Sequence, residues 1–117
     1  MAADTAEDRR KLLVRRLVES RRIGEPAVFE AGDVEIEYDD RMIRLQLIPD
    51  ERERLDVLLG AYHVFKLKQP ETRKADDGVV YLSAVTDAKH AADFIESLFR
   101  EVYGFGEGYE LRTAESV

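Results

Sequence analysis

The chain has 117 residues, a formal net charge of −7 and no cysteine. This length suits one domain with a hydrophobic core of its own, and we expect a single domain over residues 1–117, frayed at residues 1–5 and 113–117. The lack of cysteine excludes thiol nucleophiles, thiolate metal sites and disulfide scaffolds. The negative charge disfavours diffuse attraction to nucleic acid or to anionic lipid.

The chain offers no segment that predicts a membrane location. It contains no run of 18 apolar residues, and its first eight residues are acidic and lack an apolar stretch. A spanning helix needs about 20 apolar residues, and a secretory signal needs an apolar central region. The sequence therefore predicts a soluble, cytoplasmic protein without membrane contact.

A first helix is predicted from about residue 6 to residue 22. Thr5 can cap its N-terminus, and Gly24-Glu25-Pro26 ends it. Leu13, Val14, Leu17 and Val18 form the apolar stripe. This helix is also basic, because residues 1–24 hold seven Lys/Arg against four Asp/Glu, a net of +3.

A three-stranded meander follows, over residues 27–30, 33–38 and 41–48. Its apolar residues alternate with charged ones, which is typical of strands with one buried face. If Asp39-Asp40 is the second turn, Ile36 lies opposite Ile43 and Glu35 lies opposite Arg44. If Ala31-Gly32 is the first turn, Phe29 lies opposite Val34. Both registers place the apolar side chains on the same face.

Residues 49–53 predict the entry into a second helix, with Asp50 as its cap and Glu53 three residues later. Beyond it, residues 63–68 alternate like a short edge strand, although Phe65 also extends the helical stripe; we favour the strand. Residues 71–77 are polar and contain Asp76-Asp77, so they are expected to form an exposed loop.

Residues 79–104 form the predicted anchor of the core. Residues 79–85 are an apolar strand, and Thr86 or Asp87 can cap the amphipathic helix that follows. The helix carries an apolar stripe widened by aromatic rings, and Gly104 can end it in the left-handed conformation. A glycine-rich connection then leads to a short strand over residues 109–112.

These elements predict an α+β fold of the order α-β-β-β-α-β-β-α with a short terminal strand, in which three helices pack on a mainly antiparallel sheet. In this element order, over most of the chain, the sequence resembles the type III secretion chaperones and related small dimeric chaperone-like domains. The resemblance concerns the order of elements and implies a helix-on-sheet architecture.

The sequence predicts no catalytic residue, no metal site and no cofactor. His63 and His90 are the only histidines, and neither has a serine, a carboxylate or a second histidine at a known catalytic or metal-ligand spacing. An enzyme site at one of them is therefore only an alternative hypothesis. The alternating carboxylates Asp33, Glu35 and Glu37 fit a solvated strand face better than a cation site.

The basic first helix is the one candidate surface for nucleic acid. Lys11, Arg15 and Arg22 fall on one exposed side of it, and arginine can bind phosphate through two hydrogen bonds. The interleaved acidic residues and the lack of a nearby aromatic platform favour a solvated helix or a surface that binds acidic protein.

The strand of residues 79–85 carries the strongest indication of function. Val80, Leu82 and Ala84 form one face, while Val79, Tyr81 and Val85 make the other face largely apolar as well. Such a strand is either covered on both sides within the chain or partly buried in an interface. We therefore predict a small non-enzymatic protein-binding or chaperone-like module that acts as a homodimer, with Val79, Tyr81 and Val85 as interface residues.

Overall fold

A computed structural model describes residues 3–68 and 78–114; the predicted loop of residues 71–77 lies outside them. In chain order the elements are α1 (Ala6–Ile23), β1 (Ala27–Ala31), β2 (Val34–Asp39), β3 (Met42–Gln46), α2 (Pro49–Ala61), β4 (Lys66–Lys68), β5 (Val79–Ser83), α3 (Ala88–Ser97) and β6 (Arg112–Ala114). The predicted α+β class and element order are confirmed.

The six strands form one antiparallel sheet in the order β4-β5-β3-β2-β1-β6. The meander β1-β2-β3 lies in the centre. The hairpin β4-β5 extends it beside β3, and the terminal strand extends it beside β1. The edges of the sheet are the two three-residue strands.

The first helix begins at the predicted residue and ends one residue later than predicted, at Ile23. The side chain of Thr5 accepts a hydrogen bond from the backbone N–H of Asp8 at 3.1 Å, and Gly24 ends the helix with a left-handed backbone. Because the cap and the stop signal are both local, the sequence predicts this helix well. Val18, expected in the apolar stripe, is instead exposed.

Both hairpin turns lie one residue later in the chain than predicted, so different residues pair across the strands. The turns are Gly32-Asp33 and Asp40-Arg41, so Phe29 pairs with Ile36 and Tyr38 with Ile43. Asp40 and Arg41 both have positive φ, as a type I′ turn requires. The predicted pairs were wrong, but every side chain remains on its predicted face because the strand period is two residues.

The N-cap of the second helix lies two residues before the predicted cap at Asp50. Ile48 is the N-cap, and Pro49 occupies the first helical position, where the missing N–H is harmless. The carboxylate of Glu51 accepts a hydrogen bond from the backbone N–H of Ile48 at 2.9 Å. The predicted cap at Asp50 was therefore wrong, and Asp50 instead lies in the first turn.

The third helix carries the widest apolar stripe and ends in a π-helical turn. Asp87 caps it by accepting from the N–H of His90 at 2.7 Å. From Leu98 to Val102 the helix widens, and the N–H of Tyr103 bonds to the carbonyl of Leu98 five residues earlier. The wider turn lets Leu98, Phe99 and Val102 all be buried on the same side.

The core lies between one face of the sheet and the three helices. Most side chains that the meander and β5 direct to this inner face are buried, as are most apolar side chains of α1 and α3 that meet them, whereas Val34 and Val80 are only partly buried. The side chains that the sheet contributes to this core include Phe29, Ile36, Ile43 and Leu82. The other face of the sheet therefore defines a separate surface.

The two ends of the described chain are held together. Ala3 and Leu111 exchange backbone hydrogen bonds of 3.2 and 2.7 Å, and β6 pairs with β1 through Thr113 and Phe29. The terminal strand thus begins three residues after its predicted start, and it includes Thr113 and Ala114, which were expected to fray.

Two glycines with positive φ are expected to respond differently to alanine. At Gly24 (φ +72°) an added Cβ would meet no atom within 4 Å, whereas at Gly78 (φ +82°) it would lie 2.6 Å from the carbonyl oxygen of Leu47. We expect Gly24→Ala to lower the free energy of unfolding by about 1 kcal/mol and Gly78→Ala by at least about 2 kcal/mol, since the second also forces β3 and β5 apart. Urea unfolding measures both, and equal losses would contradict the close contact.

Candidate interface on the outer face of the sheet

The outer face of the sheet is the surface opposite the helices. One row crosses five of its six strands in register, from Lys68 through Tyr81, Arg44 and Glu37 to Val28. Directly opposite residues of neighbouring strands share a face, so the row follows from the pairing alone. In residues 3–68 and 78–113, the side chains of this face are half-buried or exposed.

Among the residues whose burial is described, four half-buried apolar side chains lie on this face: Val28, Met42, Val79 and Tyr81. Val79 and Tyr81 are the predicted interface residues, and the structure places them two positions apart on one strand. Val85, the third, lies two residues beyond the end of β5 and is 61% exposed. Val28 and Met42 were not predicted, although their alternation with buried neighbours is the signal that could have shown them.

Charge divides the outer face into two halves. On β4, β5 and β3 the charged side chains are Lys66, Lys68 and Arg44, a total of +3. On β2, β1 and β6 the charged side chains are Glu30, Glu35, Glu37, Asp39 and Arg112, a total of −3. The boundary between the halves is the boundary between β3 and β2, which is also the middle of the sheet.

The basic first helix contributes to a different surface. Lys11 and Arg15 line a groove of about 480 Å³ together with Arg10 and Lys89, above the half-buried Val14. Two of these cations are paired: Lys11 with Glu7 at 3.2 Å and Arg10 with Asp93 at 3.0 Å. Arg22 is exposed in the last turn of α1 and does not line this groove.

Arg9 lies on the basic first helix but does not belong to its exposed basic surface. Its side chain is fully buried. Its Nε and Nη2 donate to the carboxylate of Glu96 at 2.9 to 3.2 Å. Nη1 donates to the backbone carbonyl of Tyr109 at 2.9 Å, and the guanidinium lies 4.1 Å from the centre of the Tyr109 ring.

Arg9, Glu96 and Tyr109 form one cluster, because the Tyr109 hydroxyl also donates to Glu96 at 2.7 Å. Burial by itself lowers the pKa of Arg9, but its hydrogen bonds and charge attraction with Glu96 outweigh burial and raise that pKa. Burial, together with the hydrogen bond to Glu96, raises the pKa of Tyr109. Arg9 therefore stays charged and Tyr109 stays neutral, and the cluster fastens α1 to α3 and to the segment before β6.

Alkaline conditions are expected to destabilise the wild type more steeply than the variant Tyr109→Phe. A tyrosine in the unfolded chain ionises near pH 10, whereas the folded protein holds Tyr109 neutral to higher pH. The resulting stability is complete below the unfolded pKa and is lost above it by about 1.4 kcal/mol per pH unit. Urea unfolding from about pH 9 to about pH 12 measures this slope.

The control for that experiment is Tyr81→Phe. The hydroxyl of Tyr81 makes no hydrogen bond within the described residues, so its removal should leave the alkaline slope of the wild type in place. Equal slopes for wild type and Tyr109→Phe would contradict the role assigned to Tyr109.

The histidines occupy two unlike places. The ring of His63 is exposed, and its Nε2 lies 2.6 Å from the carbonyl of Gly60. The ring of His90 stacks against Phe65, with 5.4 Å between the ring centres, and lies 5.7 Å from that of Tyr62. Neither ring has a carboxylate as a hydrogen-bond partner in the described part of the chain.

A wide cleft of about 1060 Å³ lies where β3 leads into α2. Val34, Leu45, Val80 and Tyr103 are among its lining residues. The Tyr103 hydroxyl donates to the backbone carbonyl of Gln46 at 2.7 Å, and burial, then the charge of Glu51, raises the pKa of Tyr103. Tyr103 thus joins the end of α3 to β3 as a neutral hydrogen-bond donor.

Acidic and histidine side chains do not gather in groups of three that could ligate a metal ion, within residues 3–68 and 78–114. Over the same residues, each helix is too short or too polar to cross a lipid bilayer.

The fold and this face define an α+β protein with an open, charge-divided antiparallel sheet. Over residues 1–116 the chain matches the "Family of unknown function (DUF7975)", and it belongs to that family. Neither a curated protein nor a solved structure matches the chain.

Proposed function

We propose that this protein is a non-enzymatic, chaperone-like protein-binding module that acts as a homodimer. Its binding surface is the outer face of the sheet. The partner class is protein, because the face combines apolar side chains with charges of both signs over a flat strand surface, as protein interfaces do.

The observation that supports the proposal is the row Lys68–Tyr81–Arg44–Glu37–Val28. Tyr81 lies between two cations, and Val28 lies beside the acidic Glu37, so the row places apolar side chains next to charges of both signs across five strands. Tyrosine and arginine at the centre of a surface are the side chains most often found where binding energy is concentrated. The helices, by contrast, already use their apolar stripes in the core.

The experiment is light scattering coupled to size-exclusion chromatography at several protein concentrations. The wild type is expected to reach twice the 13.4 kDa of one chain. Tyr81→Asp is expected to weaken this assembly, because it removes an aromatic ring from the middle of the face and adds a charge.

The matched control is Val57→Asp, which adds the same charge at an α2 position that is 79% exposed. This variant should assemble like the wild type. A wild type that stays monomeric at every concentration would contradict the proposal, as would equal losses for Tyr81→Asp and Val57→Asp.

The groove at Lys11 and Arg15 favours a second candidate, the binding of nucleic acid or another polyanion. Arg15 and Lys89 make no ion pair within the described residues, so they are available to phosphate. This function predicts salt-dependent binding to a labelled oligonucleotide that Arg15→Ala plus Arg22→Ala weakens. Unchanged affinity in the double variant would exclude this function. A larger loss of affinity for Arg15→Ala alone than for Arg22→Ala alone would locate the phosphates in the groove.

A further inference from the structure

The outer face is complementary in charge to a second copy of itself. Its β4-β5-β3 half carries +3 and its β2-β1-β6 half carries −3, and the halves meet at the middle of the sheet. A two-fold axis that runs parallel to the strands between β3 and β2 would place each half over the opposite half of the other copy. Two-fold dimers use the same patch on both subunits, so such a dimer needs a patch that is complementary in charge to itself.

We propose that two copies pack outer face to outer face about this axis, with Arg44 of each copy opposite Glu37 of the partner and Tyr81 opposite Val28. The inference rests on the homodimer of the proposed function and specifies its geometry. In the row Lys68–Tyr81–Arg44–Glu37–Val28, the axis passes between Arg44 and Glu37, so residues at equal distance from it face one another.

The spacing of packed sheets suits these pairs. Face-to-face sheets lie about 10 Å apart, which an arginine and a glutamate extended toward each other can span. The other in-plane axis, perpendicular to the strands, would place β3 over β3 and β2 over β2. Like charges would then meet in both halves, which costs several kcal/mol in an interface. Charge therefore selects the axis parallel to the strands.

The size of the face determines how strongly the two copies are expected to bind each other. Six strands span about 24 Å, and five residues along a strand span about 16 Å, which gives a flat area of about 400 Å². A standard interface buries about 800 Å² on each partner. The dimer should therefore depend on protein concentration, and it should weaken with salt because ions screen the charge pairs of so small an interface.

The test is an exchange of charges between two variants. Arg44→Glu places a glutamate opposite the partner's Glu37, and Glu37→Arg places an arginine opposite the partner's Arg44. By symmetry each change acts twice, so each variant alone should dimerise at least about tenfold more weakly than the wild type. An equal mixture of the two variants should restore dimers, because the introduced glutamate of one copy then faces the introduced arginine of the other, and the two unchanged residues also form an opposite-charge pair.

The mixture separates the interface from effects within one copy. Arg44 and Glu37 are also cross-strand neighbours in the same chain, so each substitution places like charges side by side and costs some stability. Mixing cannot repair a contact inside a chain, but it does repair a contact between chains. Thermal unfolding confirms that each variant is folded, and native mass spectrometry distinguishes mixed dimers from homodimers.

Arg22→Glu and Glu53→Arg are the matched controls, since they make the same charge changes at exposed positions on α1 and α2. They should dimerise like the wild type, alone and mixed. If the wild type is dimeric but the two interface variants gain nothing on mixing, the proposed axis is wrong while the homodimer stands. If the wild type is monomeric throughout, the proposed function fails as well.

Discussion

Arg9→Met is expected to lower the free energy of unfolding by about 3 kcal/mol, a large effect for one basic residue of a protein with 18 Lys and Arg. The substitution preserves most of the side-chain volume but leaves the Glu96 carboxylate without its cation and the Tyr109 carbonyl without its donor. Breaking a buried ion pair typically costs about 3 to 5 kcal/mol. The lower end applies because the Glu96 side chain is 23% exposed and can recruit water.

Urea unfolding at neutral pH measures this loss, and Arg22→Met is the control on the same helix. Arg22 is exposed, so its replacement should change stability by less than about 0.5 kcal/mol. Replacing Arg9 and Glu96 together by methionine should recover much of the loss, since an apolar pair leaves no buried charge alone. Equal stability of Arg9→Met and Arg22→Met would contradict the buried cluster.

Phe94→Ala is expected to cost about 4 kcal/mol, the largest effect of any substitution considered. Phe94 is fully buried in α3 and lies parallel to Phe65, with 3.9 Å between the ring centres. Tyr62 meets the same ring edge-on at 5.2 Å. Removing the ring therefore leaves a cavity lined by Tyr62 and Phe65, which lie in the segment between α2 and β4, and this segment cannot fill the cavity without moving β4.

The measurement is chemical unfolding of Phe94→Ala, Phe65→Ala and the double variant. The two rings should show a coupling energy of about 1 kcal/mol beyond their separate burial. Val57→Ala, on the exposed side of α2, should lie within about 0.5 kcal/mol of the wild type. Additive losses at Phe65 and Phe94 would show that the stacked contact contributes nothing of its own.

Local signals predicted most of the fold. The cap at Thr5 and the stop at Gly24 fix α1, and the wide apolar stripe identifies α3, because each signal depends on neighbours within a few residues. The hairpin turns were displaced by one residue, yet the faces of the three meander strands were correct. A turn displaced in this way preserves the parity of the side chains, so hydrophobic alternation cannot distinguish the two registers.

Contacts between distant residues explain what the sequence did not predict. Arg9 lies four residues before Leu13 on the apolar stripe, which was a signal of burial, but its partner Glu96 is 87 residues away. The candidate interface shows the same limit. Val79 and Tyr81 were predicted from their own strand, whereas the division of charge emerges only when β3 lies beside β5 and β2.

The Arg9 cluster also has a consequence for the order of folding. The guanidinium of Arg9 bonds to the carbonyl of Tyr109 across 100 residues, and β1 likewise pairs with the distant β6. During synthesis, which proceeds at about 5 to 20 residues per second, the first helix must carry an unpaired charge toward the core until nearly the whole chain has emerged. Folding should therefore finish at the ends of the chain, and the final closure of Arg9 onto Glu96 and Tyr109 should be a late kinetic step.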